Sequence, residues 1–362
     1  MTSFEERLQE NILLKNYSTL GIGGPARFFV DATDLETIEQ ALQWVTQQHL
    51  PLFVLGGGSN VLISDQGFAG LVLHLTLRGI ESRSEQGNII VDVAAGEEWD
   101  GFVAYAVDNH WGGVECLSGI PGKIGATPIQ NVGAYGQEVK DTIVSVNLYD
   151  RYQRSFVTLP NSACQFRYRQ SIFKSKAVDR YIVLGVSYRL TPNGKPSINY
   201  PELQKYLAER INGTPTLAAV REAVLTIRRQ KSMVLNPLDS DSRSVGSFFV
   251  NPILSRTDFA ALESSLRTDA KLRLKETIPH FPAPENMVKL SAAWLIEQAG
   301  FYKGYQYANV GISNKHALAI VNRGAGTAQE VLDLVKKIQH QVQQRFGILL
   351  TPEPVFIGFD NY

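Results

Sequence analysis

Two glycine-rich segments contain the residues of this sequence that are best suited to binding a charged ligand. The first is GGGSN at 56–60, and the second is SGIPGKIGATPIQNVGAYG at 118–136. Because glycine has no side chain, consecutive backbone N–H groups can point into one concavity and approach an anion closely. Ser59 and Asn60 add side-chain donors to the first segment. One such loop is more often structural, but two in one region predict a large phosphate-bearing ligand, such as a diphosphate cofactor.

The surroundings of these glycines disfavour the common nucleotide-binding motifs. A Rossmann site or a P-loop needs a helix that begins at the last glycine, whereas VLIS at 61–64 is typical of a strand. The segment GIGGPA at 21–26 matches the dinucleotide-binding pattern only formally. A proline and the strand-like RFFV at 27–30 stand where that motif requires a helix to begin. The Gly122-Lys123 pair lacks the earlier glycine and the following Ser or Thr of a Walker A motif. We therefore expect a ligand held by loops between strands.

The composition is that of a globular protein without a dominant charge. The 362 residues include 35 Lys and Arg and 35 Asp and Glu, so the formal net charge is zero. Such a chain has no global field to attract nucleic acid or an anionic membrane. Residues 1–20 lack the apolar stretch of a signal peptide, and no apolar run approaches the length of a membrane span. We expect a soluble, cytoplasmic monomer with no nucleic-acid or membrane partner.

Neither the cysteines nor the histidines form a metal-binding pattern. Cys116 and Cys164 lie far apart without a CxxC spacing, and the six histidines include no i, i+4 pair and no HExxH motif. Because metal sites and disulfide frameworks have recognisable spacings, we expect a reducing compartment and no metal.

Alternating helices and strands must position the glycine-rich loops. Apolar periodicity predicts one helix at 34–49, with Asp34 as its N-cap, and another at 97–110. This alternation with strands indicates an α+β or α/β architecture. Short runs rich in β-branched residues predict the strands, at 52–55, 70–75, 88–95, 143–149 and 181–190.

The residue composition and the apolar periodicity of the sequence change after residue 190. The segment 191–203 is rich in Pro, Gly and Asn and predicts a connection, and helical periodicity follows at 216–231. A polar run then gives way abruptly to an apolar one. We place a domain boundary near 231–245 on that shift.

The end of the sequence predicts one long helix and a pair of strands. The capping box Thr327-x-x-Glu330 predicts the start of the helix, and Gly347 predicts its end. We expect a final strand pair around Pro352 and Pro354.

Several motifs together resemble those of one enzyme family. In chain order they are LGGGSNVLI (55–63), IPGKIGATPIQNVGAYG (120–136), FRYRQSIFK (166–174), GSFFVNP (246–252) and PEPVFIG (352–358). The residues of these motifs are similar to those of the UDP-N-acetylenolpyruvoylglucosamine reductase family. The resemblance spans nearly the whole chain in the family's order, which is far more specific than any single glycine pattern.

The resemblance implies a fold and a domain order. The fold class would be α+β, with a two-lobed FAD-binding region of the vanillyl-alcohol-oxidase (PCMH) type and a smaller α+β substrate-binding domain. A C-terminal strand segment would contribute Glu353 to the active site. The implied boundaries are 1–230 for the FAD-binding region, with lobes of about 1–78 and 79–230 and a PCMH-type core of about 17–192, 231–346 for the substrate-binding domain and 347–362 for the C-terminal segment.

The resemblance also implies the cofactors and the reaction. Similar enzymes use NADPH to reduce bound FAD, and a hydride then passes to C3 of an enolpyruvyl ether on UDP-N-acetylglucosamine. Protonation at C2 gives UDP-N-acetylmuramate, a precursor of peptidoglycan. The family's glycine loops wrap the FAD diphosphate and ribityl chain, in agreement with the anion site predicted from the residues. The implied cofactor-binding residues are Gly56, Gly57, Gly58, Ser59, Asn60, Ile120, Pro121, Gly122, Gly125, Thr127 and Gly133.

Three positions match the family's catalytic residues. Hydride addition to an unsaturated carboxylate builds negative charge at C2, so the reaction needs a cation and an acid. By resemblance, Arg169 would hold the carboxylate in a bidentate fork and stabilise the enolate, and Ser247 would protonate C2. Glu353 would complete the site, with its backbone fixed by a proline on each side. Without the resemblance, the three residues would be a strand arginine stacked on aromatics, a turn serine and a solvated glutamate.

Five further positions match residues that touch the UDP-sugar in similar enzymes, namely Tyr135, Tyr168, Tyr200, Lys231 and Asn251. Tyr200, in INYPEL, indicates the subgroup whose tyrosine-bearing loop folds over the substrate. The segment after Lys231 departs from the family's shorter, proline-led run, so Arg228 or Arg229 could take its place. We interpret His316, near an apolar strand, as a packing residue.

Two other functions stay open on the sequence. A flavin oxidase with the same fold would consume oxygen and would not need Arg169, Ser247 and Glu353. A non-catalytic flavin or nucleotide-sugar sensor would not keep such a set either. We favour the NADPH- and FAD-dependent reductase, because all three positions are intact.

Overall fold

The computed structural model describes residues 4–268 and 278–359. Within those ranges no helix is long and apolar enough to cross a membrane. The helices are α1 (Phe4–Arg7), α2 (Leu35–Gln47), α3 (Trp99–Asp108), α4 (Pro201–Ala208), α5 (Leu217–Gln230), α6 (Arg256–Thr268), α7 (Ala292–Gln298) and α8 (Ala328–Phe346). The strands are β1 (Gln9–Leu13), β2 (Pro25–Ala32), β3 (Leu52–Leu55), β4 (Val61–Ile63), β5 (Phe68–Leu75), β6 (Ile80–Glu85), β7 (Asn88–Ala94), β8 (Trp111–Gly112), β9 (Gly133–Ala134), β10 (Gln137–Glu138), β11 (Ile143–Asp150), β12 (Ser155–Pro160), β13 (Tyr181–Pro192), β14 (Ile253–Leu254), β15 (His280–Ala283), β16 (Met287–Leu290), β17 (Gln306–Tyr307), β18 (Val310–Ile312), β19 (Ile320–Asn322) and β20 (Val355–Ile357).

The chain divides into two compact units, and the division interrupts the predicted 1–230 region. Two short early segments are part of the second unit because β4 pairs with β20, and because Leu20 and Ile22 lie in the second unit's apolar core. The first unit also extends beyond residue 230. Its segments are Met1–Ser18, Gly24–Ser59 and Gln66–Leu235, and those of the second unit are Thr19–Gly23, Asn60–Asp65 and Asn236–Tyr362.

A four-stranded sheet of the first unit presents the first glycine-rich loop. The strand order is β1-β2-β5-β3, in which β2, β5 and β3 are parallel and β1 is antiparallel. Helix α2 connects β2 to β3, and the Asp34 carboxylate accepts a hydrogen bond from the Thr37 N–H over 2.7 Å, which confirms the predicted N-cap. Ile38, Ala41 and Val45 bury one face of this helix in the core. The glycines therefore begin at the carboxyl end of a parallel strand.

An antiparallel sheet of the first unit carries the second glycine-rich loop. Its strand order is β12-β11-β13-β7-β6, and β8 pairs with the end of β13. The strands predicted at 143–149 and 181–190 are confirmed as β11 and β13, and the helix predicted at 97–110 is confirmed as α3. Trp99 and Phe102 of α3 are fully buried, and their rings lie 5.9 and 5.0 Å from that of Tyr188 on β13. The helix is thereby fixed on one face of the sheet.

The predicted connection at 191–203 is wrong at its end, where α4 begins. Pro201 is the first residue of this helix. Proline is favoured there, because the first helical N–H has no intrahelical acceptor and the fixed φ suits a helix. Leu203 and Leu207 of α4 pack with Val220 of α5 in a small apolar cluster. The proline that we took as part of a connection is therefore the first residue of a packed helix.

The second unit is built on a long helix and three small sheets. The sheets have the orders β14-β16-β15, β17-β18-β19 and β20-β4. Helix α8 begins at the predicted capping box, in which both the Thr327 and the Glu330 side chains accept their backbone N–H groups, and it ends at Gly347 with φ +69°. Its apolar stripe is buried. Helices and sheets are thus mixed in both units, which confirms the α+β class.

The predicted final strand pair is wrong, because the residues described after the two prolines, up to residue 359, form a single strand. That strand, β20, pairs in parallel with β4. Pro352 forms only an isolated bridge with Phe249. Proline has no N–H to donate to a ladder, so the segment around Pro352 and Pro354 cannot pair as a regular strand.

Candidate functional site

The first glycine-rich loop packs directly against the second. It follows β3 and leads into the strand β4 rather than a helix, as the sequence predicts. A Cβ on Gly57 would lie 2.8 Å from the Cα of Gly122, and the Ser59 hydroxyl donates a hydrogen bond to the Pro121 carbonyl over 3.0 Å. Glycine at both contact points lets the two backbones approach this closely.

The two polar side chains of the first loop donate hydrogen bonds within the protein. The Ser59 hydroxyl donates to Pro121, as described, and the Asn60 Nδ2 donates to the Glu353 carbonyl over 3.3 Å. The Asn60 carbonyl also accepts from the Val355 N–H over 3.0 Å. Both side chains hold local structure, and their contact with a cofactor stays a prediction.

Gly58 is a position of this loop where any side chain would be strained. Its φ is +60°, and a Cβ would lie 1.8 Å from the Tyr17 carbonyl oxygen. We expect Gly58→Ala to lower the free energy of unfolding by about 1–3 kcal/mol from the left-handed backbone alone, with the steric overlap adding to that loss. Chemical denaturation checks this. Gly56→Ala is the control, because its Cβ would make only an ordinary 3.9 Å contact with Lys123, and equal losses in the two variants would contradict the expectation.

Hydrogen bonds to α3 and to Ala95, the residue after β7, hold the second loop. The Gly122 carbonyl accepts from the Trp99 N–H, and the Gly125 N–H donates to the Ala95 carbonyl, each over 2.9 Å. The Thr127 hydroxyl lies 2.6 Å from the Tyr188 hydroxyl in the core. These bonds fix the path of the loop, and the predicted cofactor contacts of Gly125 and Thr127 stay predictions.

A buried lysine lies at the junction of the two loops. Lys123 is only 6% exposed, and its Cβ lies beside Gly56. Among the residues the structure describes, its ammonium has one hydrogen-bond acceptor, the Leu75 carbonyl at 3.3 Å, while the nearest carboxylate oxygen, of Glu98, is 4.0 Å away. Burial lowers the pKa of Lys123. Sequence reasoning rejected this residue with the Walker A motif, although a lysine inside a glycine-rich loop is itself a signal for anion binding.

Arg169 lies at the tip of a tight turn and reaches back to the second loop. Its Nη2 donates to the Gly133 carbonyl over 2.7 Å and its Nη1 to the Asn131 carbonyl over 3.5 Å. The guanidinium carbon is 5.4 Å from the centre of the Tyr168 ring. The structure therefore joins two of the motifs that the sequence shows separately.

Two tyrosines predicted to bind substrate lie against each other. The rings of Tyr135 and Tyr200 meet edge to face at 5.4 Å, and Tyr200 is the residue that precedes α4. Burial raises the pKa of Tyr135 to about 12. Like an ordinary tyrosine, it is protonated at neutral pH and can act as a hydrogen-bond donor.

Of the three basic residues considered for this cluster, Lys231 approaches the Tyr135 ring, Arg228 interacts with Tyr135 through its charge, and Arg229 pairs elsewhere. The Lys231 ammonium is 5.9 Å from the centre of the Tyr135 ring and forms an ion pair with Glu202. The Arg228 side chain is buried and donates to the Met233 carbonyl over 2.7 Å. Arg229 pairs with Glu222 on the surface over 2.9 Å. The structure thus favours Lys231 or Arg228 over Arg229.

In the second unit, backbone pairing joins the segment that contains Ser247 to the segment that contains Glu353. The Phe248 N–H donates to the Leu318 carbonyl, and the Phe248 carbonyl accepts from the Glu353 N–H, both over 2.8 Å. Phe249 bridges to Pro352 in the same register. Glu353 is only 8% exposed, and Ser247 is half-buried. The structure thus brings two of the predicted catalytic residues onto paired segments, and the contact between their side chains stays a prediction.

Asn251 and His316 each make a local contact. The Asn251 Oδ1 accepts from the N–H of Ala292, the first residue of α7, over 2.9 Å. The His316 Nδ1 accepts from the Leu318 N–H over 3.1 Å. Asn251 thus caps a helix, and its predicted contact with substrate stays a prediction.

Two family models match separate parts of the chain. Residues 26–152 match the model described as an FAD binding domain. Residues 236–357 match the model described as the C-terminal domain of UDP-N-acetylenolpyruvoylglucosamine reductase. The first match supports the predicted FAD-binding fold.

Curated relatives match over nearly the full length. The UDP-N-acetylenolpyruvoylglucosamine reductase of Thermobifida fusca is 46% identical over 351 residues, which cover 96% of this chain and 97% of that protein. The enzyme of the same name from Streptomyces coelicolor is 44% identical, over 94% of this chain and 88% of its own. A crystal structure of the Thermus caldophilus reductase aligns with a TM-score of 0.64 at 24% identity and covers 97% of this chain and 99% of its own.

Proposed function

Because the chain belongs to the UDP-N-acetylenolpyruvoylglucosamine reductase family, we propose that Arg169, Ser247 and Glu353 carry its reaction. The protein is an FAD-dependent oxidoreductase that reduces the enolpyruvyl ether of UDP-N-acetylglucosamine to UDP-N-acetylmuramate in peptidoglycan synthesis, with NADPH as the hydride donor. The observation that carries this conclusion is the 46% identity over 96% of the chain.

The two glycine-rich loops fit FAD. A Cβ on Gly57 would lie 2.8 Å from the Cα of Gly122, so glycine lets the two loops pack closely without side chains between them, and the N–H groups of such loops can bind a diphosphate. Bound FAD would supply the redox chemistry, which is the transfer of a hydride from NADPH to C3 of the enolpyruvyl group. We propose that the glycine loops hold the diphosphate and that Lys123 adds a positive charge beneath them. The residues proposed to contact FAD are Gly56, Gly57, Gly58, Ser59, Asn60, Ile120, Pro121, Gly122, Lys123, Gly125, Thr127 and Gly133.

Replacing Lys123 tests this cofactor site. Methionine fills similar space without charge, and a charge-assisted hydrogen bond contributes about 1.5–3 kcal/mol. We therefore expect Lys123→Met to raise the Kd for FAD about 10- to 100-fold. Titration of apoprotein with FAD, followed by flavin fluorescence, checks this, and Lys195→Met at an exposed position is the control. An unchanged Kd in Lys123→Met would remove this lysine from the FAD site.

Arg169 is proposed to bind the carboxylate of the enolpyruvyl group. Two carbonyls of the second loop, those of Asn131 and Gly133, orient its guanidinium. An oriented fork can hold a carboxylate through two parallel hydrogen bonds. Because negative charge grows on that carboxylate and on C2 as the hydride arrives, the same cation would stabilise the transition state more than the ground state.

Ser247 is proposed to donate the proton to C2, with Glu353 completing the site. A serine hydroxyl is a weak acid by itself, so its proton transfer needs a polar partner. The buried Glu353 carboxyl lies on the neighbouring segment, which pairs with the backbone of Phe248. We infer that this pairing and the flanking prolines fix the serine and the glutamate in one geometry.

The remaining polar positions are proposed to bind the nucleotide sugar. Tyr135, Tyr200 and Lys231 form the cluster described above, Tyr168 stacks on Arg169, and Asn251 is the fifth position. The place of Tyr200 at the start of α4 supports the subgroup with a tyrosine-bearing substrate loop. We further propose that the protein acts as a cytoplasmic monomer, with a FAD-binding region before about residue 230 and a substrate-binding domain after it.

The proposed reaction is tested in the steady state. We expect the purified protein to oxidise NADPH only when the enolpyruvyl ether of UDP-N-acetylglucosamine is present, and to form one UDP-N-acetylmuramate for each NADPH. UDP-N-acetylglucosamine without the enolpyruvyl group is the control and should support no turnover. NADPH oxidation that is indifferent to the enolpyruvyl substrate would contradict the proposal.

A further inference from the structure

The turn that presents Arg169 is strained and closed. The Arg167 N–H donates to the Gln170 carbonyl over 3.0 Å, and the Gln170 N–H donates to the Arg167 carbonyl over 3.1 Å. Tyr168 and Arg169 are the two residues at the tip, and Arg169 has φ +53°. A left-handed conformation costs a residue other than glycine about 1–2 kcal/mol, and it persists where the surroundings hold it.

Two side chains tie the base of this turn to the second glycine-rich loop. The Asn131 Nδ2 donates to the Arg167 carbonyl over 3.0 Å, on the N-terminal side of the turn. On the C-terminal side, the Ser171 hydroxyl donates to the Ile129 carbonyl. Asn131 is 0% exposed and Ser171 is 2% exposed, so water does not compete for these bonds.

The Asn131 amide is satisfied in a way that no other side chain reproduces. Its Oδ1 accepts from the Lys140 N–H over 3.1 Å, and its Nδ2 also donates to the Glu138 carboxylate over 3.0 Å. A backbone N–H can only donate and a carboxylate or carbonyl can only accept, so these partners determine which way the amide faces. Aspartate would lack the two donors, and leucine would lack every bond.

Asn131 therefore contacts both the turn that carries the Arg169 backbone and the guanidinium group of Arg169. Its side chain binds the carbonyl of Arg167 at the base of the turn, and its own carbonyl receives the Arg169 guanidinium. The neighbouring Gly133 carbonyl takes the stronger of the two guanidinium bonds, at 2.7 Å. The second loop thus determines both where the arginine backbone lies and where its charged group points.

We propose that Asn131 is a positioning residue for the reduction, with Ser171 as its counterpart on the other side of the turn, and that both act through Arg169. The proposal rests on the proposed role of Arg169. A displacement of about 1 Å in a reacting group can cost about 100-fold in rate, so the loss of either tether should slow the step in which Arg169 acts. Steps that do not use Arg169 should keep their rates.

A double-mutant cycle on the FAD-loaded enzyme tests the proposal. The rate measured is that of flavin reoxidation by the enolpyruvyl substrate, with flavin reduction by NADPH as the internal reference. We expect Asn131→Ala to slow reoxidation about 10- to 100-fold, to leave reduction near wild type, and to have no further effect in an Arg169→Met background. Ser171→Ala should behave in the same way and keeps the test decisive if Asn131→Ala does not fold.

Asn161→Ala is the matched control, because Asn161 also makes two side-chain hydrogen bonds to carbonyls, those of Lys140 and Ile143, away from the turn. It should change neither half-reaction. Effects of Asn131→Ala and Arg169→Met that multiply in the double variant, or equal losses in both half-reactions, would overturn the positioning role alone. Arg169→Met with unchanged reoxidation would overturn the proposed role of Arg169 and this inference with it.

Discussion

Ser247→Ala should slow flavin reoxidation by the enolpyruvyl substrate about 10²- to 10⁴-fold, the usual loss for a general acid. Flavin reduction by NADPH should stay near the wild-type rate, because that half-reaction needs no proton at C2. Stopped-flow measurement of the two half-reactions separates these effects. The variant should fold normally, since Ser247 is half-buried and loses only a hydroxyl.

A neighbouring serine provides the control for Ser247. Ser244 is buried, and its hydroxyl accepts a hydrogen bond from the Gly246 N–H over 3.3 Å. Ser244→Ala should leave both half-reactions intact, apart from a modest loss of stability. If Ser247→Ala slowed reduction and reoxidation equally, its role would be structural rather than that of a proton donor.

Arg169→Met should slow the same half-reaction about 10²- to 10³-fold, as expected when one preorganised group that stabilises developing charge is removed. It should also weaken binding of the substrate carboxylate, whereas Arg169→Lys should recover part of the rate, because lysine keeps the charge but loses the planar fork. The half-reaction rates and the Kd of UDP-N-acetylmuramate measure both effects.

Arg154→Met controls for the strained backbone of Arg169. Arg154 has φ +51°, close to the +53° of Arg169, and its side chain is exposed. Any effect of replacing an arginine in the left-handed conformation should therefore appear in both variants. A rate loss in Arg154→Met similar to that in Arg169→Met would assign the effect to the backbone and not to the charge.

The local features of this fold could be predicted from the sequence. Asp34 caps α2, and the box formed by Thr327 and Glu330 starts α8, because each depends on residues within one turn of a helix. The strand after GGGSN was also predictable, because its apolar, β-branched residues are adjacent in the sequence. Features that depend on distant partners were not, and β20 pairs with β4, a strand nearly the whole chain away.

The site shows the same limit. The motifs identify Arg169, Ser247 and Glu353 as types of residue, but only the folded backbone places Phe248 in register with Glu353. Asn131 carried no separate signal in the sequence, because its role depends on a carbonyl of Arg167, a residue in another motif. Lys123 was set aside with the Walker A pattern, since its burial at the junction of two loops is a tertiary property.

Anaerobic reoxidation of the NADPH-reduced protein by the enolpyruvyl ether of UDP-N-acetylglucosamine distinguishes a reductase from an oxidase. We predict that the absorbance of oxidised flavin returns without oxygen, with one UDP-N-acetylmuramate formed for each flavin. If the absorbance returned only when oxygen was admitted, and no UDP-N-acetylmuramate formed, the protein would behave as a flavin oxidase and the reductase function would be contradicted.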